Sequence, residues 1–148
     1  MSNLTQFLRD QKHADKNRAA IAAKKKQDWL EALGKLFDQI RHWLSDAQSE
    51  GSIDVIQQQV TLTEEGIGTY KAPALSLKAG GKTVKLKPKG MTIIGANGRV
   101  DMESVKGTYM LLYLSPPDVW VHGTGYKPDQ FPQLTEELFS ELVKKSLS

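Results

Sequence analysis

Leu30, Leu33, Phe37, Ile40 and Leu44 recur at alternating spacings of three and four, the period of one face of an α-helix. Trp29, Leu36 and Trp43 follow seven apart on the flank of that face. At about 100° per residue the eight fall within an arc of roughly 140°. That is wider than the seam of a two-stranded coiled coil. The spacing predicts a helix over 27–48 laid across a sheet, with Lys35, Asp38, Gln39 and His42 on its polar side and Gly51 placed to end it.

Projected backwards, the stripe stops at Trp29, because Lys25 and Lys26 take the angles held by Trp43 and Leu44. Residues 1–26 therefore read as a basic leader, helical or flexible, standing clear of the core, with 27–148 as a single domain. Leu4, Phe7 and Leu8, spaced i, i+3, i+4, give the leader one apolar face about two turns long. Between 13 and 26 the chain is rich in alanine and lysine, good helix formers, and Ile21 is the only large apolar residue there. Such a segment buries little by itself.

From 53 to 122 the period shortens to that of strands. Gly80-Gly81 predicts a two-residue hairpin that pairs Leu77 with Val84 and Leu75 with Leu86 on one face. The other face then carries Ser76 beside Lys85 and Ala74 beside Lys87. A second hairpin is expected over 91–104, turning at Asn97-Gly98, a dipeptide suited to a tight turn. "GTYMLLYLS" is the most apolar run and reads as a central strand, "DVWVHG" as an edge strand, and "GYKPDQFPQ" as a loop. In the tail, Thr135 is placed to cap a helix whose acidic start and basic end suit the peptide dipole. The architecture expected is α+β: a long N-terminal amphipathic helix packed on an antiparallel meander of five to seven strands, followed by a short C-terminal helix.

Composition narrows function mainly by exclusion. The chain has 148 residues, no cysteine, and a net charge of +3 from 20 Lys+Arg against 17 Asp+Glu. Thiolate catalysis, disulfides and thiolate metal sites are ruled out. No apolar run is long enough to span a membrane, and the first residues lack the apolar core of a secretory signal. A cytoplasmic, bacterial-type protein with no membrane association is the default expectation.

Chemical motifs are sparse. His13, His42 and His122 are far apart, without paired spacing for a metal, and read as solvated. "EEGIGTYK" and "IIGANGR" hold glycines in near G-x-G patterns, but no helix start follows to cradle phosphate, so both read as turns. Asp101 and Glu103 share one side of a strand near Lys106, a faint echo of a metal-dependent nuclease, without the usual carboxylate-x-lysine spacing. No cofactor and no metal site is expected.

Charge distribution is more suggestive. Between Glu65 and Asp101 no acidic residue occurs, while Lys71, Lys78, Lys82, Lys85, Lys87, Lys89 and Arg99 all do. Such a stripe attracts phosphates, yet sheet-based readers of nucleic acid add aromatic platforms, and only Tyr70 is near. Lysines that protect strands from aggregation are the commoner use. The leader carries a further +4 when counted through Asp28. With Leu4, Phe7 and Leu8 it resembles a segment that docks on a partner protein or on a second copy. The function expected is therefore a small non-enzymatic binding or accessory protein acting through its arm and sheet surface. Nucleic-acid binding by the basic hairpin and leader is the alternative, and nuclease-like chemistry the third.

Overall fold

The computed structural model describes residues 3–124 and 130–148. One uninterrupted helix, α1 (Asn3–Trp43), runs through both the leader and the apolar stripe. It breaks at Leu44, and a short α2 (Ser45–Ser49) follows in place of the single helix expected over 27–48. Gly51, with φ of 78°, closes that region. Six strands then form one antiparallel meander in sequence order: β1 (Asp54–Glu64), β2 (Gly68–Ala79), β3 (Lys82–Gly90), β4 (Gly98–Ser104), β5 (Gly107–Leu114) and β6 (Val119–His122). A last helix, α3 (Glu136–Leu147), is capped by Thr135, whose side chain accepts a hydrogen bond from the Leu138 amide. The α+β architecture expected from the pattern is the one observed.

Helices α1 and α3 share one face of the sheet. Trp29, Leu33, Leu36, Phe37 and Ile40 from α1 and Phe139, Leu142 and Val143 from α3 form one buried cluster with Leu75, Leu77, Val84, Leu86, Val100, Met102 and Leu111. Trp43 and Phe139 join the helices, with ring centroids 5.5 Å apart. Arg41 reaches from α1 to hydrogen-bond Gln57 of β1. The first buried residue of α1 is Trp29, where the stripe was expected to stop, and Leu44 is half-buried instead of part of the core.

The register of the Gly80-Gly81 hairpin is as read from the sequence: Leu75 faces Leu86, Ser76 faces Lys85 and Leu77 faces Val84. The Asn97-Gly98 turn is not formed. Gly98 instead begins β4 opposite Tyr113, and the β4–β5 turn lies at Val105-Lys106. The glycine at 98 serves packing: the Trp29 ring occupies the space that a side chain there would need. The apolar β5 is also not central. It is next to the edge, paired with β4 and the edge strand β6, and it reads as apolar because both its faces are covered. Leu111 joins the main core, while Leu112 is buried beside its neighbour Val121. Of the loop expected over 125–133, residues 125–129 lie outside the described residues; at its end the Pro132 carbonyl accepts from the His122 amide and Gln133 forms an isolated bridge with Val121.

Candidate docking cleft and basic sheet face

Twenty-odd residues of α1 upstream of Trp29 run past the end of the sheet, exposed except for half-buried Ala22 and Lys26. Alanine and lysine favour the helix intrinsically. Side-chain pairs one turn apart add about 0.2–0.5 kcal/mol each: Gln6 with Asp10, Asp15 with Arg18 at 2.9 Å, and Lys24 with Asp28 at 2.7 Å. Lys26 sets its ammonium 6.0 Å from the Tyr70 ring centre, at the root of the arm. Leu4, Phe7, Leu8 and Ile21 remain 64%, 56%, 55% and 56% exposed. At about 100° per residue, Leu4, Phe7 and Leu8 lie within about 60° of the azimuth of Trp29. The arm thus continues the apolar face of the core helix into solvent.

Where the arm leaves the sheet it roofs a cleft of about 640 Å³. One wall is α1 from Arg18 through Ile21, Ala22 and Lys25 to Trp29; the others are the β1–β2 turn at Glu65–Ile67, the β3–β4 loop from Met91 to Asn97, and Tyr113 with Ser115. Aromatic rings pack at a tilt behind the floor: Trp29 against Trp120 at 6.0 Å, and Trp120 against Tyr113 at 5.3 Å. Ile94 stands fully exposed on the lip. The polar end is held internally, since Asn97 Oδ1 accepts from the Ser115 amide and Asp118 accepts from the Ser115 and Tyr113 hydroxyls.

Glu64 fixes the loop that walls the cleft. Its Oε1 accepts from the Met91 and Thr92 amides, each at 2.8 Å, and its Oε2 from the Tyr70 hydroxyl. Burial works to raise the Glu64 carboxyl, but the bonds from Tyr70, Thr92 and Met91 outweigh it and leave its pKa below the usual value. Burial, then the bond to Glu64, raises the Tyr70 hydroxyl far above its ordinary range. The buried Trp29 indole N–H has no partner in hydrogen-bonding geometry, although it is near enough to Tyr70 to favour the ionised phenol.

The basic residues divide differently from their order in the sequence. Lys78, Lys85, Lys87, Lys89 and Arg99 belong to the sheet face away from the helices, whereas Lys71 has the strand parity of Leu75 and Leu77 and falls on the other side. Lys82 instead turns to the end of α3 and donates to the Leu147 carbonyl at 2.8 Å. Strand β4 brings acid to this face, because Asp101 pairs with Lys87 and Glu103 with Lys85 across the strands. Glu103 takes Lys87 at 2.8 Å and Lys89 at 3.6 Å, and the Lys87 hydrogen bond leads in lowering its pKa. Asp101, nearly buried, is held by two hydrogen bonds from Arg99. Both carboxylates of the nuclease-like pair are thus occupied by cations. Lys71, Lys78 and Lys85 are left without an ionic partner among the described residues.

His122 departs from the solvated reading. It is half-buried, edge-on to Tyr109 at 5.6 Å, and its pKa is lowered by burial and then by Lys145 of α3. Among the described residues no three His, Asp or Glu side chains converge as metal ligands, and no helix is long and apolar enough to cross a membrane. The cleft itself escaped the sequence reading, because Ile93 and Ile94 were assigned to a strand and Trp29 to a closed core. The one available signal was the arm's apolar face aligned with Trp29. Comparison with protein-family models, curated proteins and solved structures finds no match to this chain.

Proposed function

We propose that the chain is a small non-enzymatic binding protein whose working surface is the helical arm together with the cleft at its root, at the end of the sheet. The observation that carries this reading is the continuity of α1: one helical face is core from Trp29 onward and solvent-exposed apolar surface before it. In proteins most helical stability comes from packing of an amphipathic face, which the arm lacks within one chain. The core anchors the arm at one end, so little further ordering entropy is lost when a partner covers it. Nucleic acid on the lysine face is the weaker reading, since Glu103 and Asp101 already engage three of its cations.

Hydrogen exchange on the whole chain tests the reading. In dilute protein the arm amides should exchange quickly, and covering the surface should protect them along with the 91–97 loop. Arm amides that are already as protected in dilute monomer as the buried turns of α1 would overturn it.

A further inference from the structure

We infer that the arm's partner is a second copy of this chain, the two α1 arms lying antiparallel so that each tip fills the other's cleft. The inference rests on the reading of arm and cleft as the binding surface, and commits it to one occupant. Two open apolar features occur on one face of one helix: the exposed tip at Leu4, Phe7 and Leu8, and the cleft, whose wall is the exposed Ile21 and whose inner end is closed by the buried Trp29. Neither covers the other within one chain, because about 1.5 Å per residue separates them by some 20 Å or more along a rigid helix. A two-fold axis midway between them covers both at once and closes the assembly.

The polar residues between tip and cleft specify the direction. Leu4, Leu8, Gln11, Asp15, Arg18, Ala22, Lys25 and Trp29 follow a strict four-three repeat along the face. With the axis between Asp15 and Arg18, Leu4 lies opposite Trp29, Leu8 opposite the Lys25 stem, and Gln11 opposite Ala22. Asp15, which pairs with Arg18 of its own arm at 2.9 Å, then also faces Arg18 of the other copy, so the four charges form one alternating cluster at the axis. A parallel pair sets Asp15 beside Asp15 and Lys25 beside Lys25, and leaves both clefts open. An acidic partner fits less well: Arg9, Lys12, Lys16 and Lys24 lie off the apolar face, and the face itself alternates in sign. Arms of net +4 repel at long range, so added salt strengthens this association, whereas salt weakens binding to an acidic or nucleic-acid partner.

Sedimentation of the full chain from micromolar to millimolar concentration, at low and high salt, is the first measurement, and a reversible dimer favoured by salt is expected. D15R and R18D should each weaken it at least tenfold, and an equimolar mixture of the two should restore it, since opposite charges then meet at both positions. The chain has no cysteine, so introduced thiols report the register. L8C/K25C should cross-link between chains on oxidation, because its two positions within one helix are too far apart for a disulfide; L8C alone should not. A wild type that is monomeric throughout, a mixture that fails to restore association, or efficient cross-linking of L8C alone would each overturn the antiparallel pair. A monomer would leave the arm open to a different chain, a question that the exchange experiment answers separately.

Discussion

The Trp29 ring lies where a side chain on Gly98 would have to be: a Cβ built at 98 falls inside contact distance of its six-membered ring. That contact joins the last turn of the arm to the first residue of β4, and it sets the cleft floor. G98A must push the indole aside, and overpacking of this kind costs about 1–3 kcal/mol. Denaturant titration should show the loss, with a shift in tryptophan emission because Trp29 also packs against Trp120. An unchanged midpoint would mean that the ring is free to move.

Phe37 is 1% exposed at the centre of the helix–sheet layer. F37A should cost about 3–5 kcal/mol, since a cavity remains where the ring was. Urea unfolding checks this, and a loss below about 1 kcal/mol would mean that α1 is not part of the core.

Acid stability should depend on two groups whose folded pKa values are depressed. Glu64 titrates below its ordinary 4.5 in the fold. As pH falls the unfolded chain takes up that proton first, so stability present above about 4.5 is lost as pH drops through the folded value. His122, lowered from 6.5, has the same sign at higher pH: its contribution is full above 6.5 and declines as pH falls through its folded value. E64Q should flatten the lower limb of the stability–pH curve and H122N the upper one. E64A should additionally cost about 1.5–3 kcal/mol, for hydrogen bonds to a charged group, and loosen the 91–97 loop in exchange measurements.

Periodicity carried the helices and the first hairpin because burial there is one-sided: the 3–4 stripe and the alternation around Gly80-Gly81 each have one core face. It misled at Asn97-Gly98, where the glycine serves a neighbouring indole and not a turn, and at β5, where covering on both faces erases the alternation. The basic stripe was legible as charge but not as a surface. Asp101 and Glu103 lie outside it in sequence and inside it in space, and only the β3–β4 register brings them there. The cleft was least legible of all, since its walls come from an overhanging helix and an irregular loop that share no sequence pattern.

The lysine face yields the sharpest remaining test, because one residue is the counter-charge of both Lys87 and Lys89. With Glu103 holding Lys87 and Lys89, the wild-type chain should not shift mixed DNA or RNA even at about 50 mM salt, where phosphate contacts are strong. E103Q releases both ammonium groups beside unpaired Lys85 without altering side-chain size. It should leave the fold intact, since exposed pairs of this kind contribute about 0–1 kcal/mol. If the neutralisation is what silences this face, E103Q should gain weak binding whose affinity falls with salt, and K85Q/K87Q/K89Q should abolish it. Wild-type binding that loses about 0.7–0.9 of its log–log salt slope for each lysine removed would instead make the face a nucleic-acid surface in its native state. Glu103 would then act to position the lysines and not to neutralise them.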